Sequence, residues 1–123
     1  MADVVTYGGI GIIAGRIKGL GTEPKYIGWG TGSGTMTRDR TTLFTEAAEA
    51  RVAGTSSIAT VAHTGDTYVV AGTMTSGSIQ DITNAGLHDA PKPGGTLFMA
   101  KDFPAYPVGV GNTIGFSFKC QLL

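Results

Sequence analysis

The chain has 123 residues, a length that fits one domain built around one core of modest size. Nine Lys and Arg residues balance nine Asp and Glu residues, and a formal net charge of zero argues against strong electrostatic attraction to nucleic acid. Twenty glycines and seventeen threonines, with few Lys, Glu and Leu residues, predict a β protein with many turns. The single cysteine excludes an internal disulfide, so stability must come from packing or from assembly.

The apolar stretches of the chain are short. The longest, such as Ile10–Ala14, fall far below the roughly 20 residues that a membrane-spanning helix needs. The segment Met1–Val5 contains neither a basic segment nor the apolar core of a secretion signal. We therefore expect a protein that does not contact a membrane and that is synthesised in the cytoplasm.

An arm and a short helix are predicted at the N-terminus. The arm covers residues 1–7, and a helix is predicted within Val4–Lys18 because four apolar residues recur at helical spacing: Ile10, Ile13, Ala14 and Ile17. The glycines of this segment each weaken a helix by about 1 kcal/mol relative to alanine. We therefore expect the helix to form only where its apolar stripe packs on a sheet.

A strand and a long loop follow. Aromatic and β-branched residues predict a strand at Lys25–Gly30, and the loop at Thr31–Thr42 has the length of loops that are functional or are ordered by a partner. No Gly-Lys-Ser/Thr follows the alternate glycines of this region, so they indicate close backbone approach or a flat strand rather than phosphate binding: Gly28, Gly30, Gly32 and Gly34. The next segment, Leu43–Glu49, is predicted to hold a helical turn.

Extended segments separated by turns occupy the rest of the chain. They are predicted at Arg51–His63 with a bulge or bend at Gly54, at Thr67–Thr75, at Ile79–His88 and at Thr96–Lys101. Phe103–Pro107 is predicted as an extended link outside the centre of any sheet, because proline cannot donate to a strand ladder.

The last strand has the clearest alternation in the chain. Period two places five residues on its core face: Ile114, Phe116, Phe118, Cys120 and Leu122. Roughly seven or eight strands with regular turns predict one all-β domain over residues 1–123. The expected architecture is an antiparallel β-sandwich, jelly-roll-like, with one short N-terminal helix and the N-terminal arm.

No local motif indicates a reaction. Gly9–Ala14 matches a dinucleotide-binding fingerprint, but too little chain precedes it for the strand of a βαβ unit, so we interpret the match as coincidental. His63 and His88 have no further ligand at the spacing of a metal site. Cys120 lies on an apolar face, where a buried and inert thiol is expected. We therefore expect no enzyme activity, and no catalytic, cofactor-binding or metal-binding residues.

The arginines of the long loop, together with Arg51, fit either a binding patch or a solvated loop. Apolar residues flank the loop arginines, and apolar anchors beside arginine are typical of protein interfaces. The arm adds two valines with no partner nearby in sequence. The candidate partner-binding residues are therefore Val4, Val5, Met36, Arg38, Arg40, Leu43 and Phe44.

Four segments carry a family resemblance: Gly21–Gly32, Asp66–Thr73, Ile82–Ala90 and Gly111–Phe118. Together they resemble the capsid decoration, or cement, proteins of tailed bacteriophages, which are small structural proteins built on a β-sandwich of jelly-roll type. His88 stands where that pattern has an aromatic residue such as Phe.

The resemblance implies a structural protein on the capsid exterior of the virion, made in the host bacterial cytoplasm. Such a protein performs no reaction, binds across neighbouring subunits of the major capsid protein and stabilises the mature shell, without direct contact with nucleic acid. A homo-oligomer, dimer or trimer, is expected because the sheet edges need covering. Two alternatives remain open: a phage tail or baseplate component with a receptor-binding role, and a small binding or enzymatic domain of jelly-roll type.

Overall fold

The computed structural model of the protein describes residues 3–122, so Met1, Ala2 and Leu123 lie outside the described residues. Within this range the chain forms one helix and eight strands: β1 (Val4–Val5), α1 (Tyr7–Ile17), β2 (Tyr26–Gly30), β3 (Val52–Ala53), β4 (Thr55–Ala59), β5 (Thr67–Thr75), β6 (Gln80–His88), β7 (Leu97–Val108) and β8 (Thr113–Gln121).

The strands form two sheets. Across the described residues, five strands pair in the order β1, β7, β6, β2, β3, and three pair in the order β4, β5, β8. Every pairing between neighbours is antiparallel. The predicted all-β antiparallel sandwich with one short helix is confirmed, and its strands divide five and three between the sheets rather than equally.

The chain passes from one sheet to the other at Gly54. This glycine separates β3, at the edge of the five-stranded sheet, from β4 in the three-stranded sheet. A Cβ atom there would lie 2.5 Å from a methyl group of Val70 and 2.9 Å from the carbonyl oxygen of Ala71. The predicted bend is confirmed, since strands change sheets at such bends and only glycine fits this one.

The main core lies between the two sheets. Its largest side chains come from both of them and include Trp29, Ile82, Leu87, Phe98 and Phe118. In β8, Phe116, Phe118 and Cys120 are buried and Ile114 packs against the core, as the alternation predicted. The prediction for Leu122 is wrong, because β8 ends at Gln121 and the Leu122 side chain is 58% exposed.

Helix α1 forms where it was predicted, but its buried face is different. Ile12 and Ile13 pack against the core, whereas Ile10 and Ile17 are exposed. The reason is Gly9, where a Cβ atom would lie 2.1 Å from the carbonyl oxygen of Phe98 in β7. Because only glycine permits this approach, the helix turns the side that carries Gly9 and the residues three and four positions later toward the sheet.

The segment after the long loop is irregular rather than helical, with bends on both sides of Glu46. Instead of the predicted turn of helix in Leu43–Glu49, Glu46 forms an isolated antiparallel bridge with Gly30 of β2. Backbone hydrogen bonds from Gly32 to Phe44 and from Ala47 to Trp29 continue this pairing on both sides of the bridge. The segment therefore lies beside β2, and its backbone forms hydrogen bonds with that strand instead of within a helical turn.

Candidate interaction surface

The structure brings the arm and the long loop together. Val4 and Val5 pair with Ala100 and Met99 of β7. Where the arm joins α1, the Tyr7 amide donates to the carbonyl oxygen of Arg38 at 2.7 Å, and the Arg38 Nε donates to the carbonyl oxygen of Val5 at 3.4 Å. Segments predicted separately therefore share one surface.

Two of the predicted partner-binding residues are used inside the chain. Met36 is 5% exposed and Leu43 is 3% exposed, and both pack with Leu97 and Ala100 in a second apolar cluster on the five-stranded sheet. The expectation that these side chains are free for a partner is corrected, because β7 already covers them. Val4 and Phe44 pack against the same cluster while staying partly exposed.

Hydrogen bonds from two side chains order the loop from within the chain. Asn84, fully buried in β6, accepts from the Phe44 amide at 3.0 Å and donates to the Phe44 carbonyl oxygen at 3.1 Å. Asp102 accepts from the Met36 amide at 2.5 Å. An asparagine inside a predicted strand is a sequence signal that its amide has a partner, because asparagine is disfavoured in strands, but the sequence does not show which segment it anchors.

The alternate glycines let the loop lie close to β2. A Cβ atom at Gly30 would be 2.4 Å from the Phe44 carbonyl oxygen, and one at Gly34 would be 2.4 Å from the Phe44 ring. At Gly28 it would be 2.7 Å from a carboxylate oxygen of Glu46. The prediction of close backbone approach is confirmed at Gly30 and Gly32, where a Cβ atom would meet the Phe44 backbone, whereas at Gly28 and Gly34 the close neighbour is a side chain.

Two arginine–aromatic pairs lie on the outside of this region. The Arg38 guanidinium carbon is 5.2 Å from the centre of the Tyr7 ring, and that of Arg40 is 4.0 Å from the centre of the Phe44 ring. Arg40 also donates to the carbonyl oxygen of Thr42 at 3.0 Å. We call these residues the arm–loop surface: Val5, Tyr7, Arg38, Arg40 and Phe44. Tyr7 was not among the predicted site residues.

Contacts within the chain hold the two guanidinium groups in place, yet these groups remain reachable by solvent. Arg38 is exposed and Arg40 is half-buried, and the Tyr7 side chain is 61% exposed. Stacking on an aromatic face limits the side-chain freedom of arginine while leaving its edge free to donate to a carboxylate or a carbonyl oxygen. Arginine beside an aromatic ring is a combination typical of protein interfaces.

Arg51 belongs to a different cluster. It forms two hydrogen bonds of 2.9 Å with the carboxylate of Glu46, and it donates to the carbonyl oxygens of Ala90 and Gly94 at 3.1 and 2.6 Å. The suggestion that Arg51 joins a binding patch is therefore corrected, because its guanidinium ties the loop after β6 to the sheet. Burial by itself would raise the pKa of the Glu46 carboxyl, but the hydrogen bonds from Arg51 outweigh burial and hold that pKa below its usual range.

His88 lies beside this ion pair and is 2% exposed. Burial lowers the pKa of His88 to about 4, and the adjacent Arg51 cation acts in the same direction. Its Nδ1 lies 3.4 Å from the carbonyl oxygen of Tyr26. At neutral pH the imidazole is therefore uncharged, and it fills a position on the sheet as an aromatic ring would.

Cys120 and the other potential metal-ligating side chains are the remaining candidates for chemistry among residues 3–122. Cys120 is 3% exposed, and burial raises the pKa of its thiol, as expected of an inert cysteine. No group of three or more His, Cys, Asp or Glu side chains comes together within residues 3–122 in a way that could hold a metal ion. Across the same residues, no helix has the length and apolar character needed to cross a membrane.

Comparisons of the chain with protein-family models, with curated proteins and with solved structures gave no match.

Proposed function

We propose that this chain is a structural virion protein of a tailed bacteriophage that decorates the mature capsid by binding across subunits of the major capsid protein. The observation that carries the proposal is the arm–loop surface, in which two arginines are already held over aromatic rings on a β-sandwich. The assignment to a phage capsid is supported by the resemblance of four sequence segments to capsid decoration proteins.

The composition of the arm–loop surface favours a protein partner. Arginine and tyrosine are enriched among the residues that dominate binding at protein interfaces. Side chains that are ordered before binding lose less conformational entropy when they bind, which strengthens association without adding area. An interface of standard size needs only about 800 Å² from each partner, an area that a small domain can supply.

Repetition around a closed shell adds to this effect. A copy that touches more than one capsid subunit gains from the high effective concentration of the second contact once the first has formed. A decoration protein therefore needs no large apolar face, which agrees with a surface that offers charged and aromatic groups together.

The experiment that tests the proposal compares capsid occupancy for matched variants. Arg38→Ala combined with Arg40→Ala removes the two stacked guanidinium groups, and Lys18→Ala combined with Lys119→Ala removes the same charge from exposed positions elsewhere. Purified mature capsids are incubated with limiting protein, and the bound amount is measured by quantitative gel. The arginine variant is expected to show at least about a tenfold loss of occupancy, while the lysine variant stays near wild type.

Equal occupancy for the arginine variant and the wild type would overturn the arm–loop surface as the capsid contact. Labelling of the protein in intact virions adds a second readout by electron microscopy. Label on the tail or baseplate, with bare capsids, would replace the proposal by the tail or baseplate alternative.

A further inference from the structure

Three ionisable side chains meet on the outer face of the five-stranded sheet. Ile27 of β2 packs in the core, so alternation along the strand directs Gly28 to the opposite face. A Cβ atom at Gly28 would lie 2.7 Å from a carboxylate oxygen of Glu46, 3.3 Å from Arg51 Cγ and 3.4 Å from His88 Cε1. We call these three residues the ionisable cluster, and the missing side chain of the glycine leaves the space that they fill.

The ionisable cluster joins segments that are far apart in sequence. Glu46 belongs to the segment beside β2, Arg51 precedes β3 and His88 ends β6. Arg51 also donates to the carbonyl oxygens of Ala90 and Gly94 in the loop between β6 and β7. The cluster therefore holds two stretches of chain on the sheet, residues 45–49 and residues 89–96, which we call the covering segments.

A charged imidazole would have no free counter-ion within this cluster. Both carboxylate oxygens of Glu46 already accept from Arg51 at 2.9 Å, and the Arg51 and Glu46 side chains are only 8% and 18% exposed. The Nδ1 atom of His88 lies a long 3.4 Å from the carbonyl oxygen of Tyr26. A proton on His88 would therefore add a second cation beside the guanidinium in a site that excludes most water.

Two further charged groups act on the cluster, and both are engaged elsewhere. Asp89 favours the charged form of His88, but one of its carboxylate oxygens accepts from the Thr96 amide at 2.6 Å. The Lys92 ammonium donates to the carbonyl oxygen of Ala47 and adds positive charge near the cluster. The balance of these groups leaves the buried imidazole uncharged at neutral pH.

The backbone immediately before Glu46 is strained. Thr45 has a φ of 50°, and it alone among the non-glycine residues that the structure describes has a positive φ. A β-branched residue adopts this conformation only where surrounding contacts hold it there. Those contacts include the bridge between Glu46 and Gly30 and the hydrogen bond of 2.9 Å from the Ala47 amide to the Trp29 carbonyl oxygen. Relaxation of Thr45 therefore favours release of residues 45–49.

We propose that the ionisable cluster is an acid-sensitive latch, in which proton uptake by His88 releases the covering segments while the two sheets stay packed. The imidazole becomes solvated when these segments lift, and the guanidinium of Arg51 moves away from it. The core between the sheets need not open, because Leu87 packs in that core and the next residue of β6 faces the other way.

Acid favours the open form because a solvated imidazole takes up a proton more readily than the buried one. The pKa of His88 is about 4 when it is buried and 6.5 as the reference value, so the opening constant should rise about twentyfold between pH 7 and pH 5. Glu46 stays charged over this range, because its pKa lies below its usual value.

Native-state hydrogen exchange on the full chain measures the opening. Protection factors, which correct for the intrinsic effect of pH on exchange, are determined at pH 7 and pH 5 over a series of low urea concentrations. The Ala47 and Asp89 amides report on the covering segments, since they donate to the carbonyl oxygens of Trp29 and Thr96. Amides that pair β5 with β8 report on the sheets.

Two outcomes are expected together. The amides of the covering segments should exchange through an opening that scarcely depends on urea, whereas those between β5 and β8 should follow the steep urea dependence of global unfolding. The opening constant of the covering segments should also rise about twentyfold from pH 7 to pH 5. Urea dependence is needed because global unfolding also exposes His88 and responds to pH in the same direction.

Matched histidine variants identify the group that takes up the proton. His88→Phe keeps an uncharged ring and should make the opening of the covering segments independent of pH in this range. His63→Gln, in the exposed loop after β4, should keep the wild-type rise. Because the chain has two histidines, these variants also assign the imidazole NMR signals, and the signal of His88 should titrate well below its reference pKa of 6.5.

Three results would overturn the proposal. One is a urea dependence of the covering segments as steep as that of β5 and β8, because release would then require global unfolding. Another is a wild-type opening constant that is the same at pH 7 and pH 5, a measurement that needs no variant. The third is a His88→Phe protein that keeps the wild-type pH dependence. None of these measurements involves capsids, so the latch and the proposed function can fail separately.

Discussion

The two sheets of the sandwich differ in how many of their faces are covered. In β8 buried residues alternate with exposed ones, as expected where one face meets the core and the other meets solvent. In β6 five successive residues, Asn84–His88, are buried, and in β2 the four residues from Ile27 to Gly30 are buried. The centre of the five-stranded sheet, in β2 and the second half of β6, therefore has cover on both faces.

The cover on its outer face comes from irregular chain. The loop after β2 lies across the small and polar residues of that face, which include Gly28, Gly30, Asn84 and Gly86. The loop thus acts as a third layer of the fold, and the arm–loop surface is the outer side of that layer. A segment predicted to be functional or to be ordered by a partner is ordered by the sheet beneath it, and its outer side carries Arg38 and Arg40.

The largest expected effect concerns the core that both sheets share. Phe116 of β8 lies 6.3 Å from Trp29 of β2, centre to centre, in an edge-to-face arrangement. Phe116→Ala should cost about 3 to 5 kcal/mol of unfolding free energy, because it leaves a cavity where the sheets meet. Leu122→Ala is the control on the same predicted stripe, and its exposed side chain should contribute less than about 1 kcal/mol. Urea unfolding of both variants measures the difference, and a loss below 1 kcal/mol for Phe116→Ala would contradict its position.

The second prediction makes the same substitution in each sheet. At Gly30 a Cβ atom would lie 2.4 Å from the Phe44 carbonyl oxygen and 2.9 Å from the Asn84 amide nitrogen, so Gly30→Ala must push the loop away from β2. The expected cost is about 3 kcal/mol. Gly115→Ala meets only the Thr73 hydroxyl at 4.0 Å and should change stability by less than about 1 kcal/mol, toward greater stability. Similar losses at both positions would show that the loop is not a packed layer.

The third prediction uses pH to probe the covered face. The pKa of His88 is lowered by burial to about 4 in the folded chain from 6.5 as the reference value, so below about pH 6.5 the unfolded state binds a proton that the folded state does not. Folding stability should therefore fall by about 3 kcal/mol between pH 7 and pH 4. Thermal or urea unfolding across this range measures it.

His88→Phe places an uncharged ring at this position and should flatten that part of the profile, whereas His63→Gln, in the exposed loop after β4, should leave it unchanged. Both variants should still lose stability below about pH 4.5, as Glu46 takes up a proton and its ion pair with Arg51 is lost. A wild-type profile that is flat from pH 7 to pH 5 would mean that water reaches His88.

These contrasts also explain what could be predicted from the sequence. The alternation in β8 is visible because only one of its faces is buried, so the strand and its core residues follow from period two. In β2 and β6 both faces are buried, and the outer face uses glycine and asparagine, so no alternation of polar and apolar residues marks it. The position of α1 was predictable, but its rotation depends on the contact between Gly9 and β7, which no local pattern reveals.

The residues of the candidate site were likewise predictable only where their environment is local in sequence. Arginines flanked by apolar residues were recognisable, and the arm and loop do meet. The prediction that Met36 and Leu43 are available to a partner was wrong. Both side chains are covered by Leu97 of β7, which lies far along the chain and could not be assigned to them from local sequence. Asn84 and Tyr7 were missed because their roles depend on which segments meet in the fold.

The smallest expected effect is on the free energy of unfolding when the arm–loop surface is changed and the packed loop beneath it is left intact. Arg38→Ala combined with Arg40→Ala removes the two stacked cations, but Met36, Leu43 and the Asn84 hydrogen bonds that hold the loop stay in place. Exposed cation–aromatic contacts contribute about 0.5 to 1 kcal/mol each, so the double variant should lose no more than about 2 kcal/mol and melt only a few degrees lower. Deleting residues 1–5 is a poorer test, because it also removes the pairing of β1 with β7. Scanning calorimetry of the double variant measures the effect, and a loss as large as that of Gly30→Ala would mean that the arginines hold the loop to the sheet rather than presenting a surface to a partner.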